Sequence, residues 1–443
     1  MSTRSLRTAL PSKPGELLSS AAPESSLSQL GDPDPYARTA AIETLRHHPE
    51  ILRGHDWKTN NDAVAKAHYA IALKRLDPVG EAGIIPKLLE DPDSDVRYVG
   101  IKWIADERLT QYRDQLSAQL DHNDLKRRDL LAVVAALAEV SGGSKEEFSP
   151  GSALLKIVLD ESKPPFLRAL ALHGVPVDHA QLKITALSEL ARSDNARLQR
   201  EAVRALAIHA DPKRALVLAQ VASDENNDSG VRADAIAGLA LFVETHQVFL
   251  LQLAESSDET ITREAWRTLA SAGLIQRNLE TKPAFTDISA WEKMLDDVPG
   301  QPNLKAGRRL FFHQRLATCS NCHAMNGRGL EVGPDLTTIS RQAGGGRKWL
   351  LTHVLDPNAE VAPYFRPQMI TTKDGQTRMG FIAGREGKAQ SYIGSDGKIF
   401  SVFKTGVTAR EEVPISLMPP GLLMPMTSQE IRDLIAYVLR GNE

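Results

Sequence analysis

Four stretches of this chain repeat one spacing: an apolar residue, an alanine or glycine four positions on, and a second apolar residue four after that. They are Val96/Gly100/Ile104, Leu198/Ala202/Leu206, Val231/Ala235/Leu239 and Ile261/Ala265/Leu269. Positions four apart stack on one face of a helix, so each stretch predicts a helix with one apolar stripe. The small central residue lets a neighbouring helix come close. Each copy follows a short run rich in Asp, Ser or Asn, such as Asp91-Pro-Asp-Ser-Asp95 or Asn227-Asp-Ser-Gly230, which supplies an N-cap. The later copies step by 33 and then 30 residues, room for two helices per unit. Repetition at that period points to a stacked α-solenoid.

A weaker copy sits at Ala37/Ala41/Leu45 after Asp32-Pro-Asp-Pro35. Arg38, Arg97 and Arg232 each follow the turn or the first apolar residue. This pattern resembles HEAT repeats, whose second helix often opens Asp-x-x-Val-Arg-x-x-Ala, and the resemblance covers residues 31–275. Residues 46–90 and 105–165 fit its register poorly. Residues 1–30, rich in Ser, Pro and Ala, read as a flexible leader. The nine histidines between His47 and His246 are scattered and form no ligand pair. No Ser-His-Asp set, nucleotide loop or paired carboxylates are legible here, so the expectation is a binding scaffold without a catalytic site.

The chemistry-bearing motif lies further on. Cys319-Ser-Asn-Cys322-His323 holds both cysteines of the chain. Two thiols separated by two residues and followed by histidine form the attachment pattern of a c-type haem. The spacing lets both thiols reach one porphyrin edge, and the adjacent imidazole becomes an axial iron ligand. A thioredoxin-like pair needs a βαβ context and no histidine. A zinc site needs two more ligands at matching spacing, and no second cysteine pair exists.

Around this motif the periodicity changes. Residues 276–300 read as a linker with one short helix near Trp291. A helix capped by Asn303 is expected up to Phe312, and another over Arg347–Leu355, stopped by Asp356-Pro357. Residues 364–413 alternate as strands do, with Asp374-Gly375 and Asp396-Gly397 marking two hairpins. Thr427-Ser-Gln-Glu430 is a capping box opening a last helix. Its stripe of Leu434, Ile435, Val438 and Leu439 should pack on the helix near 305–312.

Taken together, Gly307-x-x-Leu-Phe, the Cys-x-x-Cys-His, Gly333-Pro-Asp-Leu, Leu355-Asp-Pro-Asn, the two Asp-Gly hairpins, Ser416-Leu-Met-Pro and Asp433-Leu-Ile-Ala-Tyr resemble the Pirellula/Verrucomicrobium-type haem-binding domain, a branch of the class I cytochrome c fold. The resemblance covers about residues 291–443. It implies one covalent haem c, with Cys319 and Cys322 as thioether anchors and His323 and Met418 as proximal and distal iron ligands. It also implies that the Pro334 carbonyl accepts from His323 Nδ1. Read by sequence alone, Met325, Met369, Met379, Met424, Met426 and His353 stay open as sixth ligands. Met418 is distinguished by Pro419-Pro420-Gly421, which stiffens its loop.

The expected fold is therefore mainly α. A HEAT-like solenoid (31–275) and a linker (276–300) precede a cytochrome c-like helical domain (301–443) with a small antiparallel β insert (364–413). The expected function is single-electron transfer, the repeats serving to bind a partner. The alternative is the cytochrome part of a sugar or alcohol dehydrogenase whose catalytic propeller this chain does not contain. Residues 301–443 carry 18 Lys and Arg against 12 Asp and Glu, and residues 1–300 carry 35 against 44. That asymmetry suits an acidic redox partner, a dehydrogenase among them, or docking of one half on the other. Nothing points to nucleic acid, and no apolar run is long enough to span a bilayer. Haem attachment by this motif takes place outside the cytoplasm, so a periplasmic or other extracytoplasmic location is expected. The first residues have no apolar secretory segment. The two agree if the residues given start inside a longer precursor.

Overall fold

The computed structural model describes residues 25–142, 149–341, 346–394 and 397–440. Most of the expected leader, residues 1–24, lies outside them, as do Ser395 and Asp396 of the second Asp-Gly turn. The chain is mainly helical with one five-stranded antiparallel sheet. It forms two compact units, residues 1–171 and 172–443. The division falls inside a helix of the repeats and not in the segment read as a linker.

In the first unit the repeat helices α1 (Pro35–Arg46), α2 (Ala63–Leu76), α3 (Ser94–Asp106) and α4 (Arg127–Val140) stack one on the next. A fifth, α5 (Pro165–Gly174), crosses the division. The second unit continues with α6 (Ala196–Ile208), α7 (Ser229–Gly238) and α8 (Glu259–Ser271), again stacked in order. The predicted stripes are the buried ones: Val96, Ile104, Leu198, Leu206, Val231, Leu239, Ile261 and Leu269 are all closed to solvent. Asp34, Asp93, Asn195, Asp228 and Asp258 cap their helices through the side chain. The small central residue is required where Gly100 lies, since a Cβ there would meet Leu88 and Leu89 at 3.2 Å. The arginine after the first apolar residue plays a shared part. Arg97 donates to the Asp91 and Pro92 carbonyls, Arg38 to Asp32 and Pro33, and Arg232 to Ala222, closing the turn before each helix.

The two regions that fit the register poorly also carry repeat helices. In α2 the stripe is Ala65/Tyr69/Leu73, with a tyrosine at the small position whose hydroxyl donates to the Leu52 carbonyl at 2.6 Å. In α4, Asp129 takes the first apolar place and Val133 the small one, both buried. Leu167/Ala171/Val175, in α5 and just past its end, keeps the rule. Ser25–Gln29, inside the expected leader, is a short helix packed on α1.

The segment read as a linker holds α9 (Ile288–Asp296), whose Trp291 and Leu295 are fully buried in one core with α10 (Leu304–Phe311), α11 (Arg347–Leu355) and α12 (Ser428–Arg440). The C-terminal core therefore begins near residue 288. The expected stripe of α12 packs on α10, and Gly307 makes the crossing possible: a Cβ there would stand 2.1 Å from the Asp433 carbonyl oxygen. Thr427 and Glu430 form the capping box in both directions. The sheet has strand order β4-β3-β2-β1-β5, with β1 Gln368–Thr372, β2 Thr377–Glu386, β3 Ala389–Gly394, β4 Ile399–Phe403 and β5 Val407–Glu412. The Asp374-Gly375 turn joins β1 and β2, with Gly375 at φ +78. Strand β5 was not legible: its Thr-Ala-Arg-Glu-Glu is exposed and polar, and its pairing with β1 makes it a strand. Among the described residues no helix is long and apolar enough to cross a membrane.

Candidate functional site

The Cys-x-x-Cys-His segment is entered through a bent backbone. Ala317 and Thr318 both take left-handed φ values, +55 and +50, uncommon for any residue and unfavourable for a β-branched one. A single 3-10 turn, Cys319–Asn321, follows, and the Cys319 carbonyl accepts from the amides of Cys322 and His323. Both thiols and the imidazole thus leave one turn, and the thiols are not joined in a disulfide.

The next loop wraps this turn. Gly333 N donates to the Cys322 carbonyl at 2.7 Å, and Leu330 N to that of Ser320 at 2.9 Å. Gly329, at φ +106, lies where a Cβ would be 2.2 Å from the His323 carbonyl oxygen, and a Cβ on Gly333 would be 2.6 Å from His323 Cε1. His323 Nδ1 donates to the Pro334 carbonyl at 2.8 Å. That bond orients the ring and leaves Nε2 as the nitrogen for a ligand.

Cys319, Cys322, His323, Pro334 and Met418 all line one cavity of about 530 Å³. Its walls are mostly apolar: Phe311 from α10, Leu350 and Val354 from α11, Leu434, Ile435 and Val438 from α12, and Phe365 and Phe381 beside and within the sheet. The insert, which carried no chemistry as a sequence, contributes a wall through Phe381. Of the open sixth-ligand candidates, Met418 and His353 line the cavity. Met325 and Met426 are core residues, and Met369, Met379 and Met424 are exposed. The Met418 loop is held by two bonds, Met418 N to Ser416 Oγ at 3.1 Å and Ser416 N to Asn358 Oδ1 at 2.8 Å. His353 Nδ1 donates to the Trp349 carbonyl at 2.8 Å, and its Nε2 lies 3.5 Å from Glu360.

Burial pushes the Cys319 thiol up to about 12 and raises Cys322 as well. It lowers His323, partly offset by the Pro334 carbonyl. At neutral pH the site therefore presents two thiols and a neutral imidazole. An activated redox dithiol would hold a thiolate instead. Among the described residues no three His, Cys, Asp or Glu side chains are grouped to hold a metal ion.

The loop after His323 is gripped by the repeats of the same unit. Arg328 pairs with Glu201 of α6 at 2.9 Å, and His173 of α5 bonds both Glu201 (3.0 Å) and the Asn326 carbonyl (2.8 Å). The pairing continues along the repeats. Arg204 bridges Glu201 and Asp234, Arg309 of α10 bridges Asp234 and Glu264, and Arg267 bridges Glu264 and Glu430 of α12, which Arg277 also holds. Glu201, Asp234, Glu264, Arg267, Arg309, Arg328 and Glu430 are buried, and Arg204, Arg277 and His173 are partly so. Sequence reasoning missed them because arginine in an amphipathic helix reads as solvent-facing. A signal was present nonetheless: the residue just before the small alanine is acidic in three successive copies, Glu201, Asp234 and Glu264. The opposite charges of the two halves are thus partly spent on each other, one of the two readings of the charge asymmetry.

Comparison with known proteins adds no relative: no family model matches the chain, and no curated protein matches it.

Proposed function

We propose that this chain is a c-type cytochrome that transfers single electrons, with HEAT-like repeats fastened to its cytochrome c-like module. The observation that carries the reading is that Cys319, Cys322, His323 and Met418 share one mainly apolar cavity, with His323 Nδ1 bonded to Pro334. The residues fit a covalently held macrocycle. Each thiol would add its sulfur and hydrogen across one vinyl group, with nothing leaving. His323 would supply Nε2 to the iron and Met418 its thioether. Once bound, the haem supplies an iron that alternates between Fe(III) and Fe(II). The chain's own part is to fix the imidazole through Pro334, to hold the thioether in a stiff loop and to keep water from the ring with Phe311, Leu350, Leu434 and Ile435. The partner is an electron donor or acceptor protein, an acidic one or a dehydrogenase, met outside the cytoplasm.

The test is expression with a haem-attachment system and export. Intact mass should rise by one haem and no titratable thiol should remain. Two free thiols in the coloured protein would reject covalent attachment. Because both Met418 and His353 line the cavity, the sixth ligand is decided by Met418→Ala against His353→Ala. Loss of the near-infrared sulfur-to-iron band and a lowered potential are expected only in the first. A band that survives Met418→Ala assigns the ligand wrongly.

A further inference from the structure

His313 is 1% exposed and does not line the large cavity. It stands between the end of α10 and the bent backbone that leads into Cys319. Its Nδ1 accepts from the amides of Arg315 at 3.1 Å and Leu316 at 3.0 Å. Two N–H groups aimed at Nδ1 place the ring proton on Nε2. Nε2 is itself buried and has no hydrogen-bond partner among the described residues. A buried donor without an acceptor is costly, so the ring stands there for its other nitrogen.

The chain uses the same bond pattern elsewhere. Asp228 and Asp258 each accept from the amides two and three residues on, and a helix follows. After His313 the backbone takes another course. The Leu316 carbonyl accepts from Thr318 N at 2.5 Å, across Ala317, and Ala317 and Thr318 are both left-handed. A carboxylate in place of His313 would be buried in the field of Glu264 and Glu430, the acids whose charges act on the ring together with Arg267 and Arg277. Imidazole makes the two bonds without a charge. Burial, the largest influence, lowers it to about 4, so it is neutral at pH 7.

The two thiols are unequally secured. Cys322 and His323 are tied from downstream, by Gly333 N on the Cys322 carbonyl and by Pro334 on the imidazole. Cys319 is approached from upstream through the turn that His313 closes. We propose that His313 is a positioning residue for haem attachment: by holding the Arg315 and Leu316 amides it fixes the backbone that aims Cys319 at the porphyrin edge. Cys319 Sγ and its hydrogen then add across one vinyl group, with nothing leaving. The proposal rests on the cytochrome reading and extends it to a residue outside the Cys-x-x-Cys-His pattern.

The experiment uses the full chain, expressed with a haem-attachment system and export, unchanged and as His313→Leu and His313→Asn. Asparagine keeps an acceptor for the same two amides, and leucine keeps bulk alone. Free thiols per bound haem are counted after denaturation. The alkaline pyridine haemochrome is recorded beside them, since its visible band moves to longer wavelength for each vinyl group left intact. No free thiol is expected in the unchanged chain or in His313→Asn. His313→Leu should keep one, mapped to Cys319, with the shifted band. Leu295→Ala, in the same core, should lower the melting temperature and leave both thioethers. An unchanged chain without covalent haem overturns the cytochrome reading and this proposal with it. Two thioethers in the unchanged chain and in His313→Leu alike overturn the role of His313 alone. So does a free thiol in His313→Asn, or in Leu295→Ala, as abundant as in His313→Leu. Where His313→Leu gives no coloured protein, hydrogen exchange decides. The Arg315 and Leu316 amides should exchange at least about tenfold more slowly than in an unfolded chain, both in the unchanged chain and in His313→Asn. Unprotected amides at these two positions would sink the proposal.

Discussion

The repeats of the two units share caps, stripes and the turn-closing donor, yet differ at one position. Just before the small residue the first unit and its boundary helix carry Ala40, His68, Val99, Ala132 and Leu170. The second carries Glu201, Asp234 and Glu264. In the second unit each of these acids is buried and meets an arginine, and Arg309 and Arg328 come from the C-terminal module. One residue per repeat therefore decides whether a helix pair merely continues the stack or becomes a docking point, without altering the backbone rule.

The comparison breaks most visibly at Glu264. Glu264→Leu leaves Arg267 and Arg309 buried with one counter-charge fewer. It should cost about 3–5 kcal/mol, whereas Val99→Ala at the matching position should cost less than about 1.5 kcal/mol. Urea unfolding of both variants checks this, and equal losses would mean the acids are ornamental. Acid provides the next largest effect. Burial raises the Glu201 carboxyl, but Arg328, His173 and Arg204 outweigh it and hold it well below its ordinary value. Asp234 and Glu430 are lowered in the same way by their arginines. Groups with a lower folded than unfolded pKa stabilise fully above the unfolded range, about pH 4 to 4.5. That stability is lost as pH falls through the folded values. The second unit should therefore lose hydrogen-exchange protection along α6 to α8 as pH drops below 4. In Glu201→Gln the loss at α6 should already be present at pH 7 and change little with acid.

The smallest effect should be the same on both sides. Asp93→Ala and Asp228→Ala each remove one N-cap and should each cost about 1 kcal/mol, read from the shift in urea midpoint. A cap worth several-fold more in one unit would show that the shared elements are not energetically shared.

How much of this the sequence disclosed follows the same division. Stripes with a small central residue were legible because packing demands both features. Helices α2 and α4 were not, since Tyr69 and Val133 fill the small position and a bound hydroxyl or a local adjustment takes the place of close approach. Cys319, Cys322 and His323 could be read from order alone, and the caps at Asn303 and Thr427 from residue type. The burial of Arg309 and Arg328 depends on partners 45 to 127 residues away, which no local pattern carries. Phe381 reads as an ordinary strand residue until the sheet is seen beside the cavity.

The acidic series is also a measure of length. Glu201, Asp234 and Glu264 meet fixed arginines on one rigid core, so a duplicated or deleted repeat between α6 and α8 would bring the wrong residue opposite Arg309 or Arg328. The matching residues of α1 to α4, Ala40, His68, Val99 and Ala132, include no acid. An array of this design can lengthen or shorten by whole units in its first part over evolutionary time, while its last three repeats stay fixed in number.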